Sequence, residues 1–157
     1  MPSNLESNLA LKKLQALAPE CVEDAREFRG EVTIYIHPDR LTRTCEFLRD
    51  DPALALSFLS DITAVDLYPN EPRFEVVYHL LSLQSADRLR LKVRTSGENP
   101  QVDSLVSVYP SANAFEREVF DLFGIQFAGH PYLRRILMPE DWEGHPLRKD
   151  YPTEGYR

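Results

Sequence analysis

The stretch "RLRLKVRT" (residues 88–95) constrains the fold of this chain more than any other. Leu89, Leu91 and Val93 alternate with Arg88, Arg90, Lys92 and Arg94. Successive side chains of a strand point to opposite faces, so this segment carries one apolar and one cationic face. Such a strand suits a sheet covered on one side and wet on the other, as antiparallel and mixed sheets often are. The cationic stripe itself admits two readings: a contact for an acidic partner, or a solvated strand face.

The neighbouring segments extend the sheet. "EVTIYIHP" (31–38) reads as a strand with Val32, Ile34 and Ile36 on one face. "LSFLSDITAVDLY" (56–68) reads as an extended or bent strand, and "RFEVVYHLLSL" (73–83) as a β-rich one. The turn "PNEP" (69–72) and the short "QSAD" link imply antiparallel hairpins. "NLALKKLQALAPE" (8–20) and "PDRLTRTCEFLRD" (38–50) read as helices, the second with Leu41, Cys45 and Leu48 on one face. The order predicts an α+β fold: an antiparallel or mixed sheet covered by helices, over residues 1–112.

"NAFEREVFDLFG" (113–124) predicts a last helix. Asn113 and Glu116 have capping-box spacing, and Gly124 stands where a C-cap glycine belongs. Phe115, Val119, Leu122 and Phe123 form its apolar face, while Arg117 and Asp121 have the spacing of an ion pair. Residues 113–157 are thus expected to form a last helix followed by an extended, irregular C-terminal arm.

That arm is unusual. Four prolines and three glycines fall in residues 125–157 and exclude long regular elements. Yet the segment holds Ile125, Phe127, Tyr132, Leu133, Ile136, Leu137, Trp142, Leu147, Tyr151 and Tyr156, which disordered chains lack. Two arrangements satisfy these facts: an arm that orders on a partner, and an arm that packs over its own sheet.

Composition narrows the function. The 157 residues suffice for one domain with a real core, and 43% hydrophobic and 27% charged residues are ordinary for a globular protein. A net charge of −7 argues against generic binding to nucleic acid or to anionic membranes. No apolar run reaches bilayer-spanning length, and the N-terminus lacks the pattern of a secretory signal. Cys21 and Cys45 stand apart, which fits a reducing compartment and supplies too few thiols for an iron–sulfur cluster. No phosphate-binding glycine loop or nucleophile elbow occurs. A free-standing metal-dependent enzyme would have to use His130, His145 and Asp141, whose spacing is unlike the tight ligand pairs of zinc sites.

Residues 116–152, "EREVFDLFGIQFAGHPYLRRILMPEDWEGHPLRKDYP", resemble the signature region of one peripheral-arm family of bacterial NADH:quinone oxidoreductase, respiratory complex I: that of its C subunit. The mitochondrial counterpart is the 30-kDa subunit family. The blocks E-R-E-x-x-D-x-F-G-I, G-H-P-x-L-R-R-I-L, P-x-D-W and G-H-P-L-R-K-D-Y-P occur in that order. The resemblance implies a non-redox peripheral-arm subunit of a proton-translocating enzyme complex, with no active site of its own. It implies that flavin, NADH, iron–sulfur clusters and quinone belong to other subunits. It implies docking on the D and B subunits at the cytoplasmic face of the cell membrane. The positions it assigns to the partner interface are Glu116, Arg117, Asp121, Phe123 and Gly124 of the helix. In the arm they are His130, Pro131, Arg134, Arg135, Asp141, Trp142, Gly144, His145, Pro146, Arg148, Lys149, Asp150 and Tyr151. The chain stops five residues past the signature, which implies a form not fused to the D subunit. The same module occurs in membrane-bound hydrogenases and in ferredoxin- and F420-linked dehydrogenases, so an equivalent subunit of such an enzyme is the alternative.

Overall fold

The structure, a computed structural model, describes residues 4–156. The first three residues of the N-terminal reading, and Arg157, lie outside them. In chain order the elements are α1 (Asn4–Ser7), α2 (Leu9–Leu17), β1 (Val22–Phe28), β2 (Glu31–Ile36), α3 (Leu41–Asp50), β3 (Phe58–Asp66), β4 (Phe74–Leu81), β5 (Arg88–Thr95), β6 (Gln101–Asp103), α4 (Ala112–Phe123) and β7 (Gln126–Ala128).

Five strands form a mixed sheet in the order β1-β2-β5-β4-β3. β2 and β5 run parallel, and the other neighbours antiparallel. The two faces differ as the alternation of β5 requires. Leu89, Leu91 and Val93 join Val32, Ile34 and Ile36 of β2 and Phe74, Val76, Tyr78 and Leu80 of β4 in one core. Apolar residues of α2, α3 and α4 pack into the same core, among them Leu11, Leu14, Leu41, Leu48, Val119 and Phe123. The helices therefore cover a single face, and burying their apolar stripes there drives the fold.

The basic stripe lies on the other face, and three of its four cations are paired locally. Arg90 bonds Glu31, Lys92 bonds Glu75 at 2.7 Å, and Arg94 bonds Glu23 at 2.9 Å. The Arg94 guanidinium also sits 4.2 Å from the Tyr35 ring centroid. These cations are matched within the sheet.

The bent strand has a local cause. The β3–β4 register shifts between Leu59 and Asp61. The bulge lets Leu59 and Ile62, three apart, both face the core.

Three strands and the one-turn helix α1 went unrecognised in the sequence. β1 is a charged edge strand, "VEDAREF", without an apolar face. Charges on an edge discourage pairing with other chains. β6 and β7 are three-residue strands that pair in parallel, too short to show a period.

The start of α4 also differs from the capping-box reading. The helix begins at Ala112, and Ser111 caps it without a side-chain bond. Glu116 turns inward instead: its carboxylate accepts from the Ser104 hydroxyl and the Leu105 amide, both at 2.6 Å. The core has room for this because the Ser104–Leu105 backbone crosses the helix there and supplies two donors.

Candidate functional site: the helix end and the arm

The last turn of a helix leaves carbonyls without partners inside the helix. In α4 the arm supplies those partners. Gly124 adopts the left-handed conformation (φ 73°), and its amide closes on the Phe120 carbonyl at 2.8 Å. The Asp121 carbonyl accepts from His145 Nδ1 at 2.8 Å and from Arg135 at 3.1 Å. The Leu122 carbonyl accepts from the Leu147 amide at 3.0 Å, and the Phe123 carbonyl from Arg148 Nε at 2.6 Å. Cations here also complement the negative end of the helix dipole. A side chain on Gly124 would meet His145 at 2.6 Å and Arg148 at 2.8 Å. Glycine is thus required both for backbone conformation and for the close passage of the arm.

Asp121 organises the first half of the arm. Its wholly buried carboxylate accepts from three successive amides, those of Ile136, Leu137 and Met138, at 2.8–3.1 Å. Arg135 completes the set at 2.7 Å and reaches on to the carbonyls of Trp142 and Gly144. Burial opposes ionisation of Asp121, but the three amides and the guanidinium outweigh it and hold its carboxyl below the usual range. The expected Arg117–Asp121 pair does not form. Arg117 instead donates to the carbonyls of Arg134 and Arg135, each at 3.1 Å. Asp121 has a better partner because the arm brings Arg135 to it in a buried setting.

A second clamp fixes the end of the arm. Arg73 grips Asp66 through two bonds of 2.8 Å and Asp150 through bonds of 2.7 and 3.1 Å. The Lys149 amide donates to Asp66 at 2.8 Å. Burial works against the Asp66 charge, but the Arg73 fork and the Lys149 and Tyr68 amides prevail and hold its carboxyl at about 2. Removing one partner of a buried pair strands the other charge, at a cost of about 3–5 kcal/mol. Asp66 and Arg73 flank the β3–β4 turn, and sequence reasoning missed both. A buried ion pair across a hairpin has no periodic signal, and only the prolines between them marked the place.

The remaining positions fall into two groups. His130 is engaged at both ring nitrogens: Nε2 lies 3.1 Å from the Asn113 carbonyl, and Nδ1 accepts from the Tyr132 amide at 3.0 Å. That set leaves no lone pair for a metal. His145 bonds elsewhere, and Asp141 is exposed, so His130, His145 and Asp141 do not form one centre. Among the described residues no three His, Cys, Asp or Glu side chains gather as a metal site. Arg134 pairs with Glu140 and the Tyr132 hydroxyl at the surface. Tyr151 packs edge-to-face on Tyr156 at 5.5 Å, and a side chain on Gly144 would strike both rings. Pro131 is exposed and Pro146 half-buried in the turns.

The other group is apolar and faces out. Tyr132, Ile136, Leu137, Trp142, Leu147 and Tyr156 are all exposed, Trp142 by 40% and Leu137 by 60%. The start of the arm is anchored in the core by Ile125 and Phe127, with Leu133 packed against it, and the rest is held by polar groups while these six large apolar side chains stay uncovered. Of the two arrangements open in the sequence, the structure shows the arm packed on its own domain.

Known proteins share this sequence and this fold. Residues 34–157 match the family described as respiratory-chain NADH dehydrogenase, 30 Kd subunit. The NADH-quinone oxidoreductase C subunit of Roseiflexus sp. (strain RS-1) is 51% identical over 148 residues, covering 94% of this chain and 85% of that protein. The same subunit of Geobacter sulfurreducens is 48% identical, covering 96% and 92%. A solved trypsin-resistant fragment of Nqo5 superposes with a TM-score of 0.69 at 30% identity, covering 83% of this chain and 99% of the fragment. A chain of the membrane-bound sulfane sulfur reductase, an archaeal respiratory membrane complex, shares the fold at 24% identity and a TM-score of 0.76. The helix end, the arm and most of the sheet lie within the matched span, and the chain belongs to the 30-kDa subunit family of the respiratory-chain NADH dehydrogenase.

Proposed function

We propose that this chain, a peripheral-arm subunit of NADH:quinone oxidoreductase, serves the complex as a docking element for the quinone-reducing module. Its partners in this reading are the D and B subunits, on the cytoplasmic side of the cell membrane, in a proton-translocating complex. Flavin, iron–sulfur clusters, NADH and quinone are assigned to other subunits. In support, the chain's conspicuous clusters of charge are internal clamps. The single observation that carries the docking role is the orientation of the arm. Arg135, His145 and Asp150 tie it to its own domain, and six large apolar side chains are left uncovered on a hydrogen-bonded backbone. Ordering the arm in advance lowers the entropy cost of binding. Exposed aromatic and leucine side chains are the usual anchors of an interface core.

The test is a Trp142→Ala, Leu147→Ala double variant of the full chain, expressed in a strain lacking the natural one. Recovery with the purified complex is expected to fall about tenfold or more, since truncated anchors commonly cost about 2 kcal/mol or more. The thermal midpoint of the isolated variant should stay close to that of the natural chain, because both side chains are already exposed. Unchanged recovery, or an equal loss of isolated-chain stability, would contradict the docking role.

A further inference from the structure

Arg148 stands out among the arm's arginines. Arg134 pairs with Glu140, and Arg135 with Asp121. Among the described residues of the arm, Arg148 alone of the arginines has no carboxylate within ion-pair distance. Its setting is not that of a free surface arginine. It is half-buried, its Nε is fixed on the Phe123 carbonyl at 2.6 Å, and its guanidinium lies 5.3 Å from the Phe74 ring centroid. Arg73 approaches the same ring at 4.9 Å. The acids nearest in effect, Asp66 and Asp150, are both gripped by Arg73. Burial and then the Arg73 charge weaken the hold of Arg148 on its proton, the mark of a cation short of compensation. Its terminal nitrogens donate no hydrogen bond to the described residues and remain accessible, between the outward side chain of Leu147 and the clamp at Asp150.

A guanidinium whose stem is immobilised, whose water is partly stripped and whose fork is unpaired is prepared for a planar anion. We infer that Arg148 is a preformed socket for an Asp or Glu carboxylate of the partner that covers the arm. The inference rests on the docking role above and adds its chemistry: the covering surface is apolar around one acidic side chain. Lys149 offers a contrast. Its amide serves Asp66 and its side chain has no such fixed stem among the described residues, so it is a rim charge that steers more than it holds.

The experiment measures association of the full chain with complex purified from a strain lacking it, as a function of NaCl concentration. Natural chain, Arg148→Gln, Arg148→Lys and Lys149→Gln are compared, with the thermal midpoint of each free chain. Arg148→Gln is expected to weaken association about thirtyfold at low salt and to make its salt dependence shallower. Arg148→Lys should recover only part of this, and Lys149→Gln should lose a few-fold at most. Arg148→Gln binding like the natural chain would overturn the socket while leaving the docking role intact. Weaker binding with an unchanged salt dependence and a lowered thermal midpoint would also overturn it, since Arg148 would then act only on the Phe123 carbonyl. Failure of the natural chain to associate would remove the docking role and the socket together.

Discussion

Glu116 is wholly buried, and the only basic group within 4.0 Å of its carboxylate among the described residues is the His130 ring, itself bonded to Asn113. Burial pushes its carboxyl up to about 7, against the pull of the Ser104 hydroxyl and the Leu105 amide. The Tyr78 hydroxyl, buried in the same core, has no bonded partner among the described residues, and burial together with the Glu116 charge raises it. In the unfolded chain Glu116 titrates near its ordinary value of 4.5. Between that value and about 7 the folded state holds more protons, so this residue lowers stability as pH rises. Below the unfolded value the effect vanishes, and above the folded value it is complete. Glu116→Gln, which mimics the protonated acid, should be about 3 kcal/mol more stable than the natural chain near pH 8 and about equal near pH 4. Chemical denaturation at both pH values checks this, and parallel pH profiles would contradict it. The sequence marked Glu116 as a signature position. Its spacing from Asn113 suggested a cap because nothing local reveals that the Ser104 loop crosses the helix at that point.

Among the helices and strands, legibility followed periodicity. β2, β4 and β5 carry alternating apolar residues and were readable, and α3 and α4 carry helical stripes. β1 was not readable, because its place at the sheet edge calls for charge and not for an apolar face. The end of α4 was legible through Gly124, but the reason for the glycine lay elsewhere in the chain. The left-handed conformation alone disfavours alanine by about 1–2 kcal/mol. The approach of His145 and Arg148 adds a clash that can only be relieved by lifting the arm. Gly124→Ala should therefore lower stability by about 2 kcal/mol or more and loosen residues 145–148 selectively. Limited proteolysis of the full chain reads this out as faster cleavage in the arm. Cleavage at the natural rate would show that the helix end and the arm are independent.

Taken whole, the α+β domain and the arm are one folded unit with two kinds of surface. The sheet's outer face neutralises Arg90, Lys92 and Arg94 internally through Glu31, Glu75 and Glu23. The arm turns Arg135, His145 and Asp150 toward the domain and six large apolar side chains outward. The sequence showed that the arm was irregular, rich in aromatics and similar to a known signature. It did not show which signature charges were already paired within the chain, because Asp121–Arg135 and Arg73–Asp150 join residues 14 and 77 positions apart. Such pairs become visible only once the fold brings them together. The docking role requires that the arm's outer face be formed before any partner arrives. Amide hydrogen exchange of the free, full-length chain measures this. The amides of Ile136, Leu137 and Met138, donated to Asp121, and those of Leu147 and Lys149 should be protected in the free chain much as in the complex. Exchange of these amides at the rate of an unfolded chain, with protection appearing only in the complex, would contradict it.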